Sequence, residues 1–101
     1  MRWYDSDEVL RTCLDNLKHM DRRTREDAVA AAVDAIEATA PGFLDRHVLD
    51  FELPLQGRRR WYDDDGAETW LLFHGLEKAD AACRDAVVAE LLARVVGAAA
   101  A

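Results

Sequence analysis

Arg2-Trp3-Tyr4-Asp5-Ser6-Asp7 returns 58 positions later as Arg60-Trp61-Tyr62-Asp63-Asp64-Asp65, in a chain of 101 residues that has three tryptophans and two tyrosines. With a gap of one or two residues the match continues through Glu8 and Glu68, Leu17 and Leu76, Asp21 and Asp80, and Arg25 and Arg84. Each copy reads as an aromatic lead-in, a capped helix, a tight turn and a second helix. A lone helical hairpin leaves its apolar side in water, so two of them have to shield each other. The expected fold is therefore all-α: a compact four-helix arrangement of two helical hairpins, residues 2–39 and 60–96, with Trp3-Tyr4 and Trp61-Tyr62 related by a pseudo-twofold axis.

The spacing outward from each copy agrees with that reading. Asp5 and Glu8 form an Asp-x-x-Glu variant of the capping box, with Tyr4 and Val9 at staple positions. From there Leu10, Cys13, Leu14, Leu17 and Met20 draw one apolar stripe to about His19. Asp21 or Thr24 caps a second helix, whose Val29, Val33, Ile36 and Ala40 share a face and whose alanines favour helix and close packing. Pro41-Gly42 closes it. In the second copy Asp65 and Glu68 repeat the box ahead of Trp70, Leu71, Phe73, Leu76 and Ala79. Asp80 caps the last helix, with a broad stripe of Cys83, Val87, Val88, Leu91, Leu92, Val95 and Val96, a stop at Gly97 and frayed terminal alanines.

The connector, residues 41 to 60, is harder to read. Phe43, Leu44, His47, Val48 and Phe51 keep helical spacing for two turns. Phe51, Leu53 and Leu55 also alternate ahead of Gln56-Gly57, so an α+β alternative places a short β-hairpin at about residues 48–62.

Composition bounds the function. A chain of this length fits one domain, residues 1–101, with enough buried surface to fold without a structural metal. Half the residues are hydrophobic and a third are charged, which is a folding composition. The opening residues lack the apolar run of a signal peptide and no stretch is apolar enough to span a bilayer, so a cytoplasmic location is expected. Cys13 and Cys83 have no partner at metal-binding spacing and read as buried thiols. A net charge of −7, with no strongly basic segment, argues against phosphate-neutralising nucleic-acid binding.

Little in the sequence carries chemistry. There is no Gly-rich phosphate loop, no nucleophile elbow and no short-range Cys-His pair, so no catalytic residue is assigned and no enzyme is expected. His19, His47 and His74 lack metal-ligand spacing, and no cofactor is expected. Asp15 with His19 and His74 with Glu77 nonetheless form two carboxylate-histidine pairs at helical spacing, which motivates a metal- or cofactor-handling accessory role as an alternative. Trp3-x-Asp5-Ser6-x-Glu8-Val9, with Asp15, Asp21 and Thr24 further on, resembles the start of the small acidic iron–sulfur assembly accessory proteins of the IscX family. That likeness covers about a quarter of the chain and lacks the middle of the family's pattern, so no membership is drawn from it.

A helix, short turn and helix from residue 6 to 39, with Arg22, Arg23 and Arg25 opening the second helix, suggests a DNA-binding regulator as a further alternative. The interleaved Asp21, Glu26 and Asp27 and the alanine-rich face beyond weigh against it. The leading expectation is a noncatalytic interaction module that binds another protein, or itself as a homo-oligomer. Its candidate surface is Arg2, Trp3, Tyr4, Arg58, Arg59, Arg60, Trp61 and Tyr62, because tryptophan, tyrosine and arginine are the usual interface anchors. The competing role for the Trp-Tyr pairs is burial as core staples.

Overall fold

Asp7 accepts a hydrogen bond from the amide of Leu10 at 3.1 Å, and from that cap the first helix, α1, runs Glu8–His19. A computed structural model describes residues 3–5, 7–48 and 61–100, with the side chains of 63, 64 and 95–100 left aside. Among the described residues all regular structure is helical. After α1 come α2 (Arg22–Thr39), α3 (Phe43–His47), α4 (Trp61–Asp65), α5 (Ala67–Lys78) and α6 (Ala81–Ala100). The all-α expectation holds.

The expected cap at Asp5 is corrected to Asp7, two residues further on. Residues 3–5 form a turn in which the amide of Asp7 donates to the carbonyl of Tyr4 at 3.2 Å, and this delays the helix to Glu8. Tyr4 drops into the core, while Val9 is 53% exposed, so the Tyr4–Val9 staple does not form. Asp65 is displaced from its expected cap in a similar way. Gly66, at φ 144°, is the residue ahead of α5, and the Asp65 carboxylate turns instead to the Thr69 hydroxyl at 2.8 Å.

Of the two caps the sequence offers for α2, the structure uses Asp21 and not Thr24, and Asp80 caps α6 as expected. Asp21 accepts from the amide of Thr24 at 3.2 Å, and Asp80 from that of Cys83 at 3.0 Å. Hydrogen bonds from Thr24 hold the Asp21 carboxyl below its ordinary pKa. Asp80→Ala should cost about 1 kcal/mol, seen as a melting temperature lower by about 4–8 °C. An unchanged melting temperature would mean that α6 starts without help from this cap.

Gly42, at φ 79°, takes the left-handed conformation that lets the chain leave α2 and start α3 at once. The hairpin alternative for residues 48–62 falls mostly on 49–60, outside the described residues. At its far end Trp61 and Tyr62 form the first turn of α4, so no strand reaches Tyr62. The expected stop at Gly97 is also corrected, since α6 continues to Ala100. Alanine is the best helix former, and the alanines after Gly97 offer no large apolar side chain to lock a left-handed cap.

The core joins all of the longer helices. Leu10, Leu14 and Leu17 of α1, Val29, Ala32 and Ile36 of α2, Leu72, Phe73 and Leu76 of α5, and Val87 and Leu91 of α6 are fully buried or nearly so. α2 packs most extensively against α6 and next against α5, while α1 packs against α6. Ala28 and Ala32 on the buried side of α2 are small enough to admit that close approach. Leu92, on the other side of α6, is left 44% exposed.

Candidate functional site

Among the described residues, seven rings form a connected cluster where the chain start, α4 and α5 meet. Tyr62 stacks on Phe73 with centroids 4.2 Å apart and planes 11° from parallel. Tyr4 meets the same phenylalanine edge-on at 5.9 Å and Trp61 at 5.3 Å, with Trp3 against Tyr4 at 5.2 Å. His74 extends the cluster, 5.6 Å from Tyr62 and 5.4 Å from Trp70. The tyrosines are core residues, 1% and 4% exposed, whereas Trp3, Trp61 and Trp70 stand half-buried at the rim.

Each rim tryptophan of the two sequence repeats lies under an arginine of the other half of the chain. The Arg84 guanidinium carbon sits 5.1 Å from the Trp3 ring, and that of Arg25 5.8 Å from Trp61. Both arginines are fixed by the helix end that precedes them. Arg25 donates to the carbonyl of Met20 at 2.9 Å, and Arg84 to those of Leu76 and Glu77 at 2.9 and 3.0 Å. A cation there also opposes the negative end of the helix dipole.

Arg25 carries a second tie, to Asp65 at 2.7 Å, with the two side chains only 14% and 13% exposed. Burial alone would raise the Asp65 pKa. Hydrogen bonds from Arg25 and Thr69, with the charges of Arg25 and Arg22, outweigh it and hold this carboxyl below the usual carboxylate value. Arg25 Nε and Trp61 Nε1, at this same node, are buried without an acceptor.

None of the protein-family models, curated proteins or solved structures compared with this chain matches it. Its chemistry therefore has to be read from its own residues.

Of the expected partner-binding set, Trp3, Tyr4, Trp61 and Tyr62 are brought into one cluster, the tryptophans partly open to solvent and the tyrosines beneath them. Arg2, Arg58, Arg59 and Arg60 lie outside the described residues. Among the described residues, the arginines that cover the tryptophans are Arg25 and Arg84, neither of which belongs to the expected set. A signal for them existed: each stands four residues after a capping aspartate, at matched positions of the repeat.

The remaining candidates are placed as follows. Among the described residues, no group of three or more His, Cys, Asp or Glu side chains comes together as metal ligands. His19 is exposed in the last turn of α1, His47 lies half-buried with Phe43 at 4.8 Å, and His74 is buried among aromatic rings. Cys13 and Cys83 are free and buried, as read from the sequence. Burial raises both thiol pKa values, aided by the charge of Asp7 at Cys13 and of Asp80 at Cys83, which disfavours the nucleophilic thiolate.

Of the three arginines opening α2, Arg25 is committed to the interior, and exposed Arg22 pairs with Glu26 at 3.1 Å. A groove of about 530 Å³ runs between Asn16, His19, Met20, Thr24, Asp27, Ala28 and Arg94. Its lining mixes both charges with apolar carbon and shows no nucleophile-base pair. No helix among the described residues is long and apolar enough to cross a membrane.

Proposed function

We propose that this chain is a noncatalytic interaction module of the cytoplasm that binds another protein through the open faces of Trp3 and Trp61 and the arginines around them. The observation that carries this is the paired geometry: each tryptophan is held at the rim of a buried aromatic cluster, beneath an arginine anchored by backbone carbonyls. Side chains fixed before binding lose less rotamer freedom on association. Tryptophan and arginine are also the residues most enriched among binding hot spots. Arg58, Arg59 and Arg60 immediately precede Trp61 in sequence and supply three further positive charges to that segment of the chain.

The test is native mass spectrometry of the full chain captured from its own cells, for the parent and for Arg58→Ala/Arg59→Ala. The parent should carry a protein partner at fixed stoichiometry, and the double variant should lose it at an unchanged melting temperature. Recovery of the parent as a bare monomer in repeated preparations would remove this reading.

A further inference from the structure

The contacts that hold the chain together run mainly between its two halves. Among the described residues, α2 packs against α6 and α5, and α1 against α6, more extensively than α1 packs against α2 or α5 against α6. The polar and ring contacts follow the same rule. Arg25 in the first half ties to Asp65 and covers Trp61 in the second, and Arg84 in the second covers Trp3 in the first.

The two halves also present nearly the same parts to each other. Glu8 and Ala67, His19 and Lys78, and Arg22 and Ala81 begin or end matched helices, each pair 59 positions apart. The turn residue Met20 has φ −73° and ψ 153°, and Ala79 has φ −76° and ψ 154°. Their amides donate to Leu17 and Leu76 at 3.3 and 3.2 Å. A capping aspartate follows in both, and then the arginine that reaches over the other half's tryptophan.

We infer that a second copy of this chain is a partner for the face between the halves. The first half of one copy pairs with the second half of the other, and reciprocally, so that each Trp3 is covered by the other copy's Arg84 and each Trp61 by its Arg25. Every contact across the face exists equally in trans, which makes exchange of whole segments a low-cost route to a dimer. What favours the monomer is tethering, worth an effective concentration on the order of mM for a short connector. The face is also not fully satisfied when closed: Arg25 Nε and Trp61 Nε1 regain water when the halves part, which lowers the cost of opening. This exchange uses the inner face of the halves and is independent of the binding proposed for the outer tryptophan faces.

Charge reversal across the Arg25–Asp65 tie tests it. Arg25→Asp and Asp65→Arg are made as separate full-length chains, and each sets like charges against each other within a monomer. Each alone should melt at least about 10 °C below the parent. In a swapped heterodimer every tie is again between opposite charges, one of them the native pair. An equimolar mixture refolded together at about 1 mM should therefore give a heterodimer in native mass spectra and recover much of the lost melting temperature. The double variant, carrying both reversals in one chain, measures how much stability the reversed tie restores within a single molecule. Two separate species that each keep the low melting temperature would overturn the inference. Isotope-labelled and unlabelled parent chains, refolded together at the same concentration, keep the test open if a single variant does not fold alone. A mixed-mass dimer that forms on joint refolding but not on brief mixing of already folded chains supports exchange, and its absence after refolding overturns it.

Discussion

Phe73→Ala is expected to lower the unfolding free energy by about 4 kcal/mol, the largest loss expected from any ring of the cluster. Phe73 is fully buried and is the ring on which both lead-in tyrosines converge, Tyr4 edge-on at 5.9 Å and Tyr62 stacked at 4.2 Å. Truncation leaves a cavity between elements far apart in sequence, and neither the turn at 3–5 nor the first turn of α4 can collapse into it without giving up other contacts. The lost ring-ring attraction adds about 0.5–1.5 kcal/mol per pair to the lost burial. A domain of this size is stable by only about 5–15 kcal/mol, so the variant should lose between about a quarter and four fifths of its stability. Phe73→Leu keeps most of the volume and should cost less than half as much. Urea denaturation followed by tryptophan fluorescence measures both, and a Phe73→Ala loss below about 1 kcal/mol would show that the cluster does not hold the halves together.

Arg25→Met should cost about 3 kcal/mol and change the response to acid. The substitution keeps the aliphatic stem against Trp61 but strands the Asp65 carboxylate, which is 13% exposed and would keep only the Thr69 hydroxyl. It also leaves the carbonyl of Met20 without its guanidinium donor. The sign of the pH effect follows from the lowered folded-state pKa of Asp65. A carboxyl with a folded pKa below its unfolded value of about 3.9 adds stability above that value, and the contribution is lost as pH falls through the folded pKa. The parent should therefore lose this share of stability as the solution becomes more acidic than about pH 4, whereas Arg25→Met has already lost it and should show a flatter dependence there. Parallel slopes for the two proteins across that range would mean that Arg25 is not what lowers Asp65.

The parts of this protein that could be read from its residues are the ones whose causes are local. A helix closes its hydrogen bonds four residues away, so the stripe from Leu10 to Leu17, the cap at Asp21 and the cap at Asp80 each declare themselves within a turn or two. The breaker Pro41-Gly42 works over the same range, and α2 does end at Thr39. The duplicated lead-in marked the four residues Trp3, Tyr4, Trp61 and Tyr62 that gather around Phe73, although not which of them would be covered.

The misreadings share one cause. Asp5 and Asp65 carry the pattern of a capping box, and in both cases a contact beyond the pattern prevailed. Tyr4 is drawn into the core and moves the start of α1 to Glu8, while Arg25, forty residues before Asp65, takes the carboxylate that was expected to cap α5. Asp65 leaves the expected cap because a hydrogen bond to a nearby amide is worth about 1 kcal/mol and a partly buried guanidinium offers more.

By itself, then, the sequence determined that the chain is helical, where its tight turns fall, and that aromatic residues gather at the start of each repeat. Only the tertiary structure decided that Arg84 covers Trp3, that Arg25 covers Trp61, and that the halves grip each other more than they grip themselves. Helical spacing is set by backbone geometry within each segment. The pairing of faces is set by which buried surfaces and charges satisfy one another after the whole chain has collapsed, and no run of neighbouring residues encodes that choice.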